Sequence, residues 1–81
     1  MKVSVQFWSY FKDLTGSENT EVELAEGATI AALRSELQDR FPKLKEMERS
    51  TLIAVGVEYQ PLDFQLNDGD EVSFFPPVQG G

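Results

Sequence analysis

Val3, Val5 and Phe7 alternate with Lys2, Ser4 and Gln6 at the start of the chain, the period of two that turns one face of a strand to a core and the other to water. The alternation returns in residues 19–24, NTEVEL, where Val22 and Leu24 point inward beside Glu21 and Glu23. These two strands are expected to pair. Between them Tyr10, Phe11 and Leu14 sit at helical spacing and Gly16 ends the run, which predicts a short helix or single helical turn.

After the turn AEG the period changes. Thr29 stands where it can cap a helix whose apolar positions Ile30, Leu33, Leu37, Phe41 and Leu44 recur at intervals of three and four. Arg34, Glu36, Gln38, Asp39 and Arg40 take the solvent side, and Pro42 forces its predecessor out of helical geometry, closing the helix near Arg40 or Phe41. The basic residues Arg40, Lys43, Lys45 and Arg49 read as a solvated connection. Residues 51–59, TLIAVGVEY, predict a third strand with Ile53, Val55 and Val57 on one face. Pro61 and Leu62 open a loop or short edge strand, and Asp68 with Gly69 supplies a tight turn. EVSFF is the last strand, with Val72 and Phe74 sharing one face and Phe75 on the other. It is ended by Pro76 and Pro77, neither of which can donate to a ladder.

The order β, β, α, β, β offers one long helix to a sheet of four or five strands. A single helix covers only one face of such a sheet, so two layers of α+β type are expected. The arrangement that fits is the β-grasp, or ubiquitin-like, architecture: a mixed four- to five-stranded sheet, one main helix on one face, and a short extra helix. A ferredoxin-like build needs a second long helix, which the pattern lacks. The organisation read from the sequence is a domain over residues 1–75 and an extended tail over residues 76–81.

At 81 residues, 41% of them hydrophobic, the chain is one small globular domain with a core a few side chains deep. No run approaches the length of a membrane span, and MKVSVQF lacks the apolar centre of a signal peptide, so the cytoplasm is the expected location. Cysteine and histidine are both absent. Disulfides, thiol chemistry, the commonest general base and the commonest metal ligand go with them, which disfavours an enzyme acting alone. The formal net charge of −7 argues against nucleic acid and anionic membrane as partners. Every Lys and Arg falls at or before Arg49, while Glu58, Asp63, Asp68, Asp70 and Glu71 follow. The later part should therefore be acidic, either to meet a basic partner or simply for solubility. Asp68, Asp70 and Glu71 lie close together, but carboxylates in such a turn are more often solvated, and no metal site or bound cofactor is expected.

The tail carries the candidate chemistry. Pro76 and Pro77 stiffen the exit from the sheet, and Val78, Gln79, Gly80 and Gly81 continue without charge. Six extended residues reach about 20 Å. The two glycines have no side chains, so the tail suits a narrow channel and would deliver the carboxylate of Gly81 into another protein's active site. A free carboxylate is a poor electrophile and must be activated. Adenylation by ATP on a separate enzyme makes a mixed anhydride, and attack by a sulfur nucleophile then leads to a terminal thiocarboxylate, a way for a chain without cysteine to carry sulfur.

The stretch LNDGDEVSFFPPVQGG, residues 66–81, resembles the ending of the small sulfur-carrying subunits of molybdopterin synthase. FKDLTG at residues 11–16 and ATIAALRSEL at residues 28–37 resemble further elements of that family, so the similarity spans the chain. Ser73 stands where the pattern usually has alanine, and Gly56 where asparagine is expected. The resemblance implies a β-grasp protein whose Gly81 is adenylated by an E1-like enzyme using ATP and then thiocarboxylated. It further implies a tail, Phe75, Pro76, Pro77, Val78, Gln79 and Gly80, that enters the large catalytic subunit of the synthase in a heterotetramer of two small and two large chains. Sulfur then passes to cyclic pyranopterin monophosphate. The same tail chemistry serves β-grasp carriers for thiamine, cysteine or tRNA thiolation, and a ubiquitin-like modifier would join Gly81 to lysines. A plain binding module, with Phe75 and Val78 as an apolar dock and Trp8 not placed by alternation, is the remaining reading.

Overall fold

The computed structural model describes residues 1–76. It runs β1 (Lys2–Phe7), α1 (Tyr10–Thr15), β2 (Asn19–Glu23), α2 (Ile30–Arg40), a 3-10 segment (Pro42–Ser50), β3 (Leu52–Val55), β4 (Glu58–Tyr59) and β5 (Glu71–Phe75). The strands form one sheet in the order β2-β1-β5-β3-β4. β5 is central, parallel to β1 with Phe7 beside Phe74, and antiparallel to β3 with Ile53 beside Phe74. β1 and β2 are antiparallel, Val3 facing Val22. This is the mixed five-stranded β-grasp sheet that the element order predicts.

The alternation in the strands decides which face is buried. Val3, Val5 and Phe7 of β1, Val22 of β2, Ile53 of β3, and Val72 and Phe74 of β5 meet Ile30, Leu33 and Leu37 of α2 in a single core. Phe11 of α1, Leu44 of the 3-10 segment and Leu66 of the loop before β5 complete it. Each fully buried Leu or Phe contributes about 1.5–3 kcal/mol relative to exposure. The Phe7 ring packs edge-on against Phe41 at 5.8 Å and against Phe74 at 6.1 Å between centroids.

Helix α2 begins as its capping residue predicts, with the Thr29 hydroxyl accepting from the Ala32 amide at 3.3 Å. Two more amides of its first turn are satisfied from the loop that follows β4. Ile30 donates to the Phe64 carbonyl at 3.0 Å and Ala31 to the Leu62 carbonyl at 2.9 Å. That loop also buries Leu66, a core position that periodicity did not reveal because no regular element surrounds it. The connection after α2 is more ordered than the solvated link expected. It is a run of 3-10 turns that buries Leu44, tied back to α2 by Arg34 and Glu48 at 3.3 Å and by Gln38 and Glu48 at 3.2 Å. Lys43, Lys45 and Arg49 are solvent-exposed, as expected.

One expectation is overturned. Residues 51–59 form a hairpin rather than one strand, since Val55 pairs with Glu58 and Ala54 with Tyr59. Gly56 has φ +62°, the sign required at the first position of a two-residue II′ loop. Val57, expected on the inward face, is the second loop residue and is 100% exposed.

Burial therefore separates two aliphatic residues that the sequence pattern treated alike. Leu37→Ala should lower stability by about 2–5 kcal/mol, seen as a lower urea midpoint at unchanged slope. Val57→Ala should stay within about 0.5 kcal/mol of wild type; a large loss at Val57 would contradict the hairpin.

Candidate functional site

The chain leaves the sheet from its central strand, so the residues around the end of β5 are supplied by both neighbours. Alternation turns Phe74 into the core at 2% exposure and leaves Phe75 half-buried on the face that no helix covers. In register, Leu52 of β3 stands opposite Phe75, and Ala54 lies between Ser73 of β5 and Tyr59 of β4. The Tyr59 ring meets the Phe75 ring edge to face, at 5.7 Å between centroids and 73° between planes. Ala54 is 5% exposed although it lies on the uncovered face, while Tyr59 remains 62% exposed. Leu52, Ala54, Tyr59 and Phe75 thus form an apolar patch at the base of the tail.

Phe75 and Pro76 are brought to this place, both half-buried. Pro77, Val78, Gln79, Gly80 and Gly81 lie outside the described residues. Pairing explains why the ladder stops. The Trp8 amide donates to the Phe74 carbonyl at 3.0 Å, and the next β5 residue that would donate toward β1 is Pro76, which has no N–H. Trp8 itself directly follows the end of β1, next to the strand that Phe75 ends, and is 51% exposed.

Sequence reasoning missed Tyr59, Leu52 and Ala54. The signal was Gly56: taken as a turn, it places Tyr59 opposite Ala54 on the open face, whereas a continuous strand over residues 51–59 gives Tyr59 no partner.

Charge gathers at the opposite end of the same face. Glu71 begins β5, and Glu21 and Glu23 lie across β1 from it, opposite Ser4 and Lys2. The two aspartates of the turn before β5 are engaged with backbone. Asp68 Oδ1 accepts from the Lys2 amide at 2.7 Å, and Asp70 Oδ2 accepts from the Asn67 amide at 2.8 Å. The Gly69 amide donates to the Lys2 carbonyl at 2.8 Å and the Ser4 amide to the Asp70 carbonyl at 3.0 Å. Through these bonds the acidic turn starts the parallel pairing of β5 on β1. Among the described residues, no cluster of three carboxylates is arranged to hold a metal ion, and no helix is long and apolar enough to cross a membrane.

Comparison with known proteins agrees with this fold. Residues 5–81 match the ThiS family. The molybdopterin synthase sulfur carrier subunit of Escherichia coli K12 is 39% identical over 82 aligned positions, covering 98% of this chain and 99% of that one. A molybdopterin converting factor subunit 1 from Pyrococcus furiosus superposes with a TM-score of 0.89 at 37% identity, covering 96% of this chain and 99% of that one. A chain from the complex of subunits 1 and 2 of the Helicobacter pylori molybdopterin-converting factor superposes with a TM-score of 0.75 at 33% identity, with 100% of both chains covered.

The two sides of β5 should respond differently to truncation. Phe74→Ala, in the core, should cost about 3–5 kcal/mol, whereas Tyr59→Ala, on the open face, should cost no more than about 1.5 kcal/mol, its ring contact with Phe75. Urea unfolding of both variants checks this, and equal losses would contradict an open face.

Proposed function

The chain belongs to the ThiS family, and from that premise we propose that it is the sulfur carrier subunit of a molybdopterin synthase. The observation that carries the reading is the end-to-end match to the Escherichia coli carrier, 39% identical over 98% of this chain. It is supported by a family match that continues through residue 81. The β-grasp domain is the handle, and the Gly81 carboxylate is the reacting group. An E1-like enzyme adenylates that carboxylate, which attacks the α-phosphate of ATP and releases pyrophosphate. A persulfide sulfur of the activating machinery then displaces AMP from the acyl carbon. Thiol cleavage of the remaining S–S bond leaves a thiocarboxylate.

The receiving partner is the large catalytic subunit, as in the Helicobacter pylori complex of subunits 1 and 2. Phe75 and Pro76 meet it at the base of the tail, with the Leu52, Ala54 and Tyr59 patch beside them. Pro77, Val78, Gln79 and Gly80 thread toward its active site. Two small and two large chains make up the synthase, and sulfur passes there to cyclic pyranopterin monophosphate. The carrier binds no cofactor of its own, and the cytoplasm, where ATP and the pterin precursor meet, is its location.

Incubation with ATP, a sulfur source and the host's activating enzyme should replace one terminal oxygen of Gly81 by sulfur, read by intact mass and by fragmentation of the C-terminal peptide. Deletion of Gly81 should leave the thermal midpoint unchanged and abolish sulfur transfer. Transfer retained by the deleted chain would refute the role of the terminal carboxylate, and an amide bond to lysine in place of the thiocarboxylate would identify a modifier.

A further inference from the structure

Asp68 and Gly69 form the one step in the chain at which aspartate or asparagine is followed by glycine. Such a step is chemically labile, because a glycine nitrogen has no side chain to shield it from the carboxyl group of the residue before. The fold itself requires the glycine. The Asp70 amide donates to the Asn67 carbonyl at 3.1 Å and closes a turn over residues 67–70, in which Gly69 takes the third position with φ +85°. Among the described residues the one positive φ outside glycine is at Ser9, so Asp68 keeps a negative φ and the turn is of type II, which favours glycine at that position. The residue that the turn demands is therefore the one that opens the peptide to attack.

The reaction available is isomerisation through a cyclic imide. The Gly69 nitrogen attacks Asp68 Cγ, a C–N bond forms and a Cγ–O bond breaks. The oxygen leaves as water, carrying the amide proton and a proton that the carboxylate takes up from solvent. Water then reopens the ring: its hydroxyl joins a carbonyl carbon as the C–N bond breaks, and the nitrogen regains a proton. Opening at Cγ restores aspartate. Opening at the α-carbonyl leaves the chain running through Cβ and Cγ, with one more backbone atom and a free α-carboxylate. The composition is unchanged.

The fold withholds both reacting groups through a single residue. The Lys2 amide donates to Asp68 Oδ1 at 2.7 Å, and the Lys2 carbonyl accepts from the Gly69 amide at 2.8 Å. Carboxylate and nitrogen are thus drawn to β1 rather than to each other. Backbone geometry acts in the same direction. A planar imide needs Cβ and the Gly69 nitrogen on the same side of the Cα–C bond, which requires negative ψ at Asp68, whereas a type II turn sets that angle at about +120°. Closing the ring requires the turn to rotate, and the two bonds to Lys2 oppose rotation. Water has free access, since Asp68 and Gly69 are exposed and line an open cleft of 330 Å³ with Lys2 and Glu21.

We propose that the Asp68–Gly69 peptide is an isoaspartate-forming site that the Lys2 backbone keeps silent while β1 and β5 are paired, so that a β-linkage at residue 68 records molecules in which this pairing has opened. The product cannot restore the pairing as it was. Its extra backbone atom displaces the Gly69 amide from the Lys2 carbonyl at the point where the parallel ladder starts. The inference is independent of the carrier reading, because the chemistry lies within this chain.

The full chain is incubated at neutral pH, folded or in guanidinium chloride. Digestion with an endoprotease that cuts before aspartate but not before a β-linked residue then measures conversion at residue 68. The folded wild-type chain should convert at least about tenfold more slowly than the denatured one, because reaction waits for the turn to open. Lys2→Pro removes the amide donor alone and should speed conversion of the folded chain about tenfold. Lys2→Ala keeps that amide and should convert like wild type. Leu37→Ala, weakened in the core instead of at the turn, should stay near the wild-type rate, with thermal midpoints showing that each variant is folded during incubation. Equal rates for folded and denatured wild type, wild-type protection in folded Lys2→Pro, or acceleration by Leu37→Ala as large as that by Lys2→Pro each overturn the proposal.

Discussion

The parallel pairing of β1 with β5 is the constraint on which the rest of the structure depends. It joins the first strand to the last across more than sixty residues, so the segment between them must form a crossover that returns to the same sheet. Helix α2 provides the body of that crossover and covers the face on which Val5, Phe7, Val72 and Phe74 lie. The pairing begins at the turn containing Asp68, Gly69 and Asp70, whose bonds to Lys2 and Ser4 align the two strands while the Asn67 amide closes the turn on Asp70. It ends where Pro76 withholds a donor. Both ends of the ladder are therefore written in side-chain chemistry, and what lies beyond Pro76 starts from the middle of the sheet rather than from an edge.

A central exit has a consequence for recognition. An edge strand is flanked on one side only, but the end of β5 has β1 and β3 on either hand, with exposed or half-buried apolar residues to each side: Trp8, just past the end of β1, and Leu52 of β3, with Tyr59 beyond it. The uncovered face of a two-layer fold is available for contact because one helix cannot shield both sides. Its aromatic end adjoins the tail and its carboxylates lie at the far end, so the face is polarised along the strands. An approaching protein meets a single orientation in which apolar surface is buried without desolvating Glu21, Glu23 or Glu71.

Much of the fold was legible because it follows short-range rules. Thr29 as a cap, Leu33 and Leu37 on one helical face, Gly16 closing α1 and the alternation in β1, β2 and β5 are patterns that neighbouring residues specify. Val57 was misplaced because alternation runs straight through a glycine unless the glycine is taken as a turn. Leu66 and the 3-10 segment were hidden because they are ordered by distant partners: the Leu66 amide by Ala28, and Glu48 by Arg34 and Gln38. The candidate site was half legible. Phe75 and Pro76 were found from the last strand itself, while Tyr59, Leu52 and Ala54 come from other strands and needed the sheet order.

The division between handle and tail also follows from the carrier's chemistry as proposed. Glycine at the reacting end minimises hindrance, but it contributes no side chain to hold a partner, so affinity has to come from the domain. A domain that bound too tightly would fail as a carrier, because the same tail must visit an activating enzyme and then a sulfur acceptor. The open face suits that requirement: its apolar part is confined to a few side chains at one end, and Ser4, Gln6 and Ser73 occupy its middle. The absence of cysteine and histidine from the whole chain fits the same logic. An acyl-adenylate is open to any nearby thiol or imidazole, and a body lacking both offers neither as an internal diversion from the sulfur donor.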